Sequence, residues 1–208
     1  MSSEARIEQL YFYPIKSFRG VRTSVLTMDQ LGPLWDRQWL LVDENGRFLT
    51  QRQLPELAKI ELNFDPDSCL ELAAADAGSI DFGLNEHMGD LLKVVVWKAE
   101  MLAQEVSGEV SEWLSQVLQR KVRLVRMAEG NARTFKPEFP ERHVRFVDGK
   151  PLLVISAASV ADLERRVGHP LSVLRFRPNV VVSGVGAYAE DSWPEFTVGK
   201  VRFQAVEP

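Results

Sequence analysis

Four short stretches of this chain hold residue types that bind anions: Lys16-Ser17, Asp36-Arg37, Ser156 with Ser159, and Arg177 with Asn179. Each puts a cation, a hydroxyl or an amide at the edge of an expected strand. Ammonium and guanidinium groups bind phosphate and oxo groups through charge-assisted hydrogen bonds, the guanidinium in bidentate fashion. Together such residues can clasp a ligand that carries both kinds of group. Each stretch also has a plainer reading: a solvated turn for Lys16, an ion pair with Asp36 or Asp43 for Arg37, helix caps for the serines, and a bridge to Asp191 for Arg177. Only convergence in space makes a site.

Other chemistries find less support. His87, His143 and His169 have no i, i+4 spacing and no H-E-x-x-H, which leaves a zinc hydrolase without its motif. The single cysteine, Cys69, excludes an internal disulfide framework and a cysteine-based zinc site, and reads as a strand residue. Gly184-Val185-Gly186-Ala187-Tyr188-Ala189 fits G-x-G-x-x-A superficially, but Glu190-Asp191-Ser192-Trp193-Pro194 follows where a dinucleotide fold needs a helix. No G-x-S-x-G elbow occurs.

The 208 residues suffice for one large domain or two small ones, and 45% hydrophobic with 26% charged residues is ordinary globular composition. The net charge of −4 argues against a nucleic-acid partner, which wants a basic face. From Arg133 to Arg177, nine Lys/Arg against five Asp/Glu give +4, so the remainder carries −8. A basic segment in an acidic chain suits a small anionic ligand, or is a solvated basic loop. No apolar stretch approaches the ~20 residues that span a bilayer, and no secretory signal precedes the first alternating residues, so a cytoplasmic location and no membrane partner are expected.

The elements that must position these residues are mainly β with a few helices, an α+β chain. Residues 6–13 alternate and then run apolar to Pro14, and 21–28 alternate again. Asp36 to Asp43 leads into Asn45-Gly46, a strong hairpin signal, with Phe48-Leu49-Thr50 as the returning strand. Strands near 57–64, 69–73 and 79–82 between turn clusters suggest a small barrel or sandwich, with another strand at 93–97. Val110, Trp113, Leu114, Val117 and Leu118 share one helix face behind Ser107 as N-cap. A domain change is placed there, giving 1–105 as an N-terminal β-barrel-like domain packed on a β-rich second domain, 106–208. After a strand at 122–127, residues 128–148 read as one long irregular segment. A buried strand at 152–155 runs into a helix capped by Ser156 or Ser159, with Ser159 and Asp162 as a capping-box variant, and this turn is an anion site or simply a cap. Val180 to Val182 is a buried strand, and 197–206 alternates around Gly199-Lys200.

Tyr13-Pro14-Ile15-Lys16-Ser17, Asp36-Arg37 with Trp39 to Asp43, Thr50-Gln51-Arg52-Gln53-Leu54-Pro55, Ile155-Ser156-Ala157-Ala158-Ser159, Phe176-Arg177-Pro178-Asn179 and Glu190-Asp191-Ser192-Trp193 occur in an order that resembles a known family. It is that of proteins with an N-terminal MOSC β-barrel domain followed by a MOSC domain, similar to the mitochondrial amidoxime-reducing component and to bacterial proteins that detoxify N-hydroxylated bases. The resemblance covers nearly the whole chain.

The resemblance implies a molybdenum cofactor, a pterin with an enedithiolate on the metal and a phosphate on its tail. Lys16, Ser17 and Arg37 of the first domain, and Ser156, Ser159, Arg177 and Asn179 of the second, are then the cofactor-binding residues, with Arg175 and the loop arginines weaker candidates. The implied reaction is two-electron reduction of a small N-hydroxylated substrate to its amine, with electrons from a flavin reductase or an iron–sulfur protein. It also implies a cysteine metal ligand just beyond the segment matching Phe203 to Pro208, so the resemblance reads this chain as a truncated form that binds cofactor weakly and reduces poorly. Cys69 matches nothing in that role. The alternative is a non-catalytic cofactor-binding or sulfur-carrier module.

Overall fold

The computed structural model describes residues 4–86, 89–136 and 139–207; His87, Pro208 and the Met1-Ser2-Ser3 start lie outside them. The strands are β1 (Arg6–Phe12), β2 (Val21–Thr23), β3 (Met28–Asp29), β4 (Gly32–Pro33), β5 (Trp39–Asp43), β6 (Glu61–Phe64), β7 (Cys69–Ala74), β8 (Gly78–Gly83), β9 (Leu91–Val96) and β10 (Ala99–Glu105). After helix α1 (Gly108–Val117) come β11 (Val122–Met127), β12 (Arg133–Lys136), β13 (Phe139–Val144) and β14 (Val154–Ser156). Helix α2 (Ala157–Val167) precedes β15 (Val180–Ser183), β16 (Glu195–Val198) and β17 (Val201–Gln204). The chain is mainly β with few helices, as its alternating pattern requires.

Two compact units result, and they interleave along the chain. The larger comprises Phe12–Val21 and Leu26–Pro151; the smaller takes the residues up to Tyr11, Arg22–Val25 and those from Leu152 onward. This division follows strand pairing rather than one cut in the sequence, because β1 pairs antiparallel with β15.

In the larger unit β5 explains the core. Trp39, Leu40, Leu41 and Val42 are all fully buried, and the two-residue period of a strand sends them to opposite faces. Trp39 and Leu41 join the cluster that contains Ile15, Phe18 and Phe82. Leu40 and Val42 join a second cluster with Val94, Val96 and Phe146. Its neighbour β11 divides in the same way, Val122 and Leu124 to the first cluster, Val125 and Met127 to the second. The sheet order is β5-β11-β10-β9, and β6-β7-β8 form a separate antiparallel sheet. Helix α1 begins where Ser107 Oγ accepts the Val110 N–H at 3.2 Å, and it buries Val110 and Leu114 in the first cluster.

Three expectations are corrected. After the Asn45-Gly46 turn the chain returns along β5 as expected, with Phe48 bridged to Val42 and the Leu49 N–H donating to the Leu41 carbonyl at 2.9 Å, but as isolated bridges rather than a strand. Residues 99–105, where no strand was expected, form β10; Ala, Glu and Gln have low strand propensity, and pairing on both sides with β9 and β11 overrides it. The segment 128–148 is not structureless, for β12 and β13 pair as an antiparallel hairpin.

The smaller unit is built on the sheet β14-β15-β1-β2. Strands β14 and β15 are parallel, and the connection between them carries α2. Val180, Val181 and Val182 are buried, and α2 adds Val160. The helix stops at Gly168, whose φ of 77° is the left-handed conformation that a glycine adopts without steric cost. Strands β16 and β17 form a terminal hairpin in which Phe196 and Phe203 stack at 5.0 Å.

Candidate functional site

The larger unit draws Lys16, Ser17 and Arg37 together by main-chain bonds. Arg37 N–H donates to the Tyr13 carbonyl at 2.7 Å, Trp39 N–H to Pro14 at 3.1 Å, and Lys16 N–H to Trp39 at 2.9 Å. Phe146 N–H donates to the Arg37 carbonyl at 3.1 Å, which brings the segment after β13 alongside. Asp36, 1% exposed, accepts the Tyr13 N–H at 2.8 Å and Arg37 Nη1 at 2.5 Å. The Arg37 guanidinium lies 4.5 Å over the Tyr13 ring. The ion pair with Asp36 is therefore present, and Arg37 is also fixed by an aromatic face.

Lys16 is not a solvated turn residue. Its side chain is 5% exposed, and its ammonium donates to the Phe146 carbonyl at 2.8 Å and to Asp148 Oδ1 at 2.6 Å. Trp97 Nε1 donates to the same Asp148 oxygen at 3.1 Å. Arg133 Nη2 donates to the Val147 carbonyl at 2.8 Å and, more weakly, to that of Asp148 at 3.4 Å. Burial would push the Asp148 carboxyl up, but the Lys16 charge and hydrogen bond, the Trp97 N–H and the more distant Arg37 charge outweigh it and hold the carboxyl below its ordinary value.

In the smaller unit Ser156 is the N-cap of α2 and is fully buried. Its Oγ accepts the Ser159 N–H at 3.0 Å, and its own N–H donates to Glu190 Oε1 at 2.7 Å. Ser159 donates its hydroxyl to the same Glu190 oxygen at 2.6 Å and accepts the Tyr188 N–H at 2.8 Å. With the Ser159 proton committed to Glu190, the 2.6 Å contact between the two hydroxyls uses the Ser156 proton. Both hydroxyl protons are thus spent inside the chain, and the helix N-terminus already faces a carboxylate. Burial pushes Glu190 up, but the bonds from Ser159 and Ser156 hold it below the ordinary carboxylate value. Asp162 is not part of a capping box; it accepts the Tyr188 hydroxyl at 2.9 Å and pairs with Arg165 and Arg166.

Asn179, 1% exposed, accepts the Leu153 N–H at 3.1 Å and donates to the Tyr11 carbonyl at 3.2 Å, so its amide ties three segments of the smaller unit together. Arg177 stands just before it in left-handed backbone, and Arg175 is exposed. Cys69 is half-buried on β7. Arg145 is a structural cation, donating to Gln38 Oε1 at 2.7 Å, to the Pro33 carbonyl at 3.2 Å and to Asp29.

Ser17 (φ 66°), Arg37 (φ 49°) and Arg177 (φ 56°) all occupy the left-handed region, which costs a non-glycine residue roughly 1–2 kcal/mol. Such outliers persist where the surroundings over-determine them, and they concentrate at ligand sites. In the larger unit Tyr13 and Asp148 contact Arg37 and Lys16, with Trp97 on Asp148, and in the smaller unit Glu190 contacts Ser156 and Ser159; the motif pattern assigns none of the four a role. The signal available for Asp148 was its place beside Gly149 after the apolar Phe146-Val147, and its pairing with Lys16 is not a sequence property.

A MOSC N-terminal beta barrel domain model matches residues 4–121, and a MOSC domain model matches residues 141–208. The mitochondrial amidoxime-reducing component 1 of Mus musculus is 34% identical over 211 residues, 96% of this chain and 62% of that protein. Its Homo sapiens counterpart is 32% identical over 212 residues, with the same coverage. The molybdenum cofactor sulfurase of Oryza sativa subsp. japonica is 30% identical over 228 residues, 98% of this chain but 27% of that protein. The chain thus spans under two thirds of the length of these relatives. Among the described residues, no helix is long and apolar enough to cross a membrane, and no three His, Cys, Asp or Glu side chains group as a cation site.

Proposed function

The chain belongs to the MOSC family, and from that premise we propose that it binds a molybdenum cofactor and serves the reduction of N-hydroxylated compounds to amines. The observation that carries the reading is the match to both MOSC family models, to which the left-handed backbone of Ser17, Arg37 and Arg177 adds support, although Trp35, Trp97, Gln119 and Tyr188 share that conformation without such an assignment. The cofactor-binding residues proposed are Lys16, Ser17 and Arg37 in the larger unit and Arg177 in the smaller, with Ser156, Ser159 and Asn179, whose polar groups are engaged within the chain, proposed to act by holding the backbone of that site.

The donor set suits such a group. Lys16, Arg37 and Arg133 would hold a phosphate tail, Lys16 and Arg37 in competition with Asp148 and Asp36, with which they pair. Glu190 Oε2 is a buried acceptor with no hydrogen-bond partner among the described residues, which suits the amino and ring N–H donors of a pterin. When bound, the cofactor supplies the two-electron chemistry at nitrogen–oxygen bonds. The residues of this chain bind and orient it: Arg37, clamped by Asp36 and Tyr13, presents a fixed charge, and Asn179 fixes the backbone beside Arg177. The electron donor would be a flavin reductase or an iron–sulfur protein, and the substrate a small N-hydroxylated molecule.

A second reading, a cofactor-binding or sulfur-carrier module without reductase activity, is favoured by the match of nearly this whole chain to a part of the rice sulfurase. Expression with a cofactor supply, followed by assay of molybdenum and released pterin, tests binding. Absence of both would sink the proposal. Reduction of a hydroxylamine with an added electron donor then separates the two readings, since only the first expects turnover. Arg177→Ala should lower pterin content several-fold; unchanged content would make Arg177 structural.

A further inference from the structure

Lys16, Trp97 and Arg133 meet on one residue of the larger unit. Lys16 Nζ and Trp97 Nε1 both donate to Asp148 Oδ1, at 2.6 and 3.1 Å, and Arg133 holds the Val147 and Asp148 carbonyls. The partners of the ion pair differ sharply in exposure: the Lys16 side chain is 5% exposed and that of Asp148 is 70%. The carboxylate therefore covers a buried ammonium from the solvent side. Arg133 adds a second, independent sign. Its Nε is buried with no hydrogen-bond partner among the described residues, although the Asp148 charge acts on its guanidinium. A buried guanidinium N–H without an acceptor is a costly arrangement unless something fills it.

The aromatic side is also held in an unusual way. Trp97, 48% exposed, sits at φ 58°, a conformation that is a marked outlier for so bulky a residue. Its ring lies 5.0 Å from Phe48 in an edge contact, and the Arg52 guanidinium lies 5.5 Å over it. Trp97 is the first residue of the two-residue turn between β9 and β10, where a positive φ is the hairpin geometry, and from there its indole N–H donates to a solvent-facing carboxylate.

We propose that Lys16, Trp97 and Arg133 form a phosphate subsite in which the Asp148 carboxylate stands in for the ligand, and that a phosphate group enters by displacing it. With Asp148 in place the Lys16 charge is neutralised, and an approaching anion meets a like charge. With Asp148 swung into solvent, Lys16, the indole N–H and the unfilled Arg133 Nε–H become donors to phosphate oxygens. Asp148 is exposed enough to swing out without repacking, and the phosphate oxygens must replace the bonds it makes to Lys16 and Trp97. The phosphate monoester on the cofactor tail is the occupant if the proposed function holds, and this identification alone rests on that reading; the exchange itself does not.

The test is titration of purified protein with inorganic phosphate, followed by NMR. Asp148→Asn should bind phosphate about tenfold more tightly than the wild type, the scale of removing one like charge at a partly exposed site. The gain should vanish in the double variant with Lys16→Met. Trp97→Phe removes one hydrogen bond from Asp148 and one from the bound phosphate, so its phosphate affinity should stay within about threefold of the wild type, the scale of one net hydrogen bond. Equal or weaker phosphate binding by a folded Asp148→Asn protein overturns the proposal. Should that variant not fold, phosphate saturation of the wild type that leaves the Asp148 carboxylate resonance unshifted overturns it. Failure of the cofactor reading looks different: pterin would be absent from every variant while the phosphate gain of Asp148→Asn persists. If both hold, Asp148→Asn also retains more pterin than the wild type after dialysis.

Discussion

Ser156 and Glu190 are joined so that α2 carries its anion from within the chain: the Ser156 N–H donates to Glu190 Oε1 at 2.7 Å. The partial positive charge of the helix N-terminus is met by a carboxylate that also holds Ser159. Glu190→Ala leaves a buried N–H and a buried hydroxyl without acceptors, and should lower stability by about 1–3 kcal/mol in urea unfolding. Glu190→Gln, which keeps an acceptor oxygen, should lose less.

The same carboxylate sets a pH dependence. Because Glu190 is held below its unfolded value, its stabilisation is fully present above an unfolded pKa of about 4.3 and is lost as pH falls through the lower folded value. Asp148, also held low, acts in the same direction. Urea midpoints measured at neutral pH and near pH 3 should therefore fall less for Glu190→Gln than for the wild type. An equal fall would show that the Glu190 bonds do not persist in solution.

Ser17 separates fold from function. Glycine accepts φ 66° without the steric cost that serine bears, so Ser17→Gly should raise stability by about 1 kcal/mol. If the hydroxyl contacts the cofactor, the same variant should lose pterin on dialysis faster than the wild type. Thermal melts and pterin release, measured on one preparation, check both halves.

Arg145 crosses the larger unit as a buried cation, bound to Asp29, Gln38 and the Pro33 carbonyl. Arg145→Ala leaves these acceptors unfilled and should cost about 2–4 kcal/mol in urea unfolding. Arg145→Lys should recover only part of this, since an ammonium cannot reproduce the planar fork.

Gly46 marks the turn after β5 with φ 73°, and a Cβ there would press on the Lys93 carbonyl. Gly46→Ala combines a steric clash with an unfavourable φ, so a loss of about 2 kcal/mol or more is expected in thermal or urea melts.

Local pattern determined much of this molecule. The alternation in 6–13, 69–73 and 79–82 specifies strands because a strand has a period of two, and the spacing Val110, Leu114, Val117 specifies α1 because a helix has a period of 3.6. Asn45-Gly46 specified its turn through the one residue without a Cβ. The order of the motifs was enough to indicate the family. Tertiary structure decided what the candidate residues touch. Lys16 meets Asp148, 132 residues away, and Ser156 meets Glu190, 34 residues away; no local preference encodes either pair. The left-handed backbone of Ser17, Arg37 and Arg177 is likewise imposed from outside, since their intrinsic preference opposes it. Strand β10 is set by pairing with β9 and β11, because its Ala and Glu residues have little strand propensity of their own, whereas β12 and β13 hold strand-favouring Thr134, Phe135, Phe139 and Val144 among charged residues and a proline that hide any period of two.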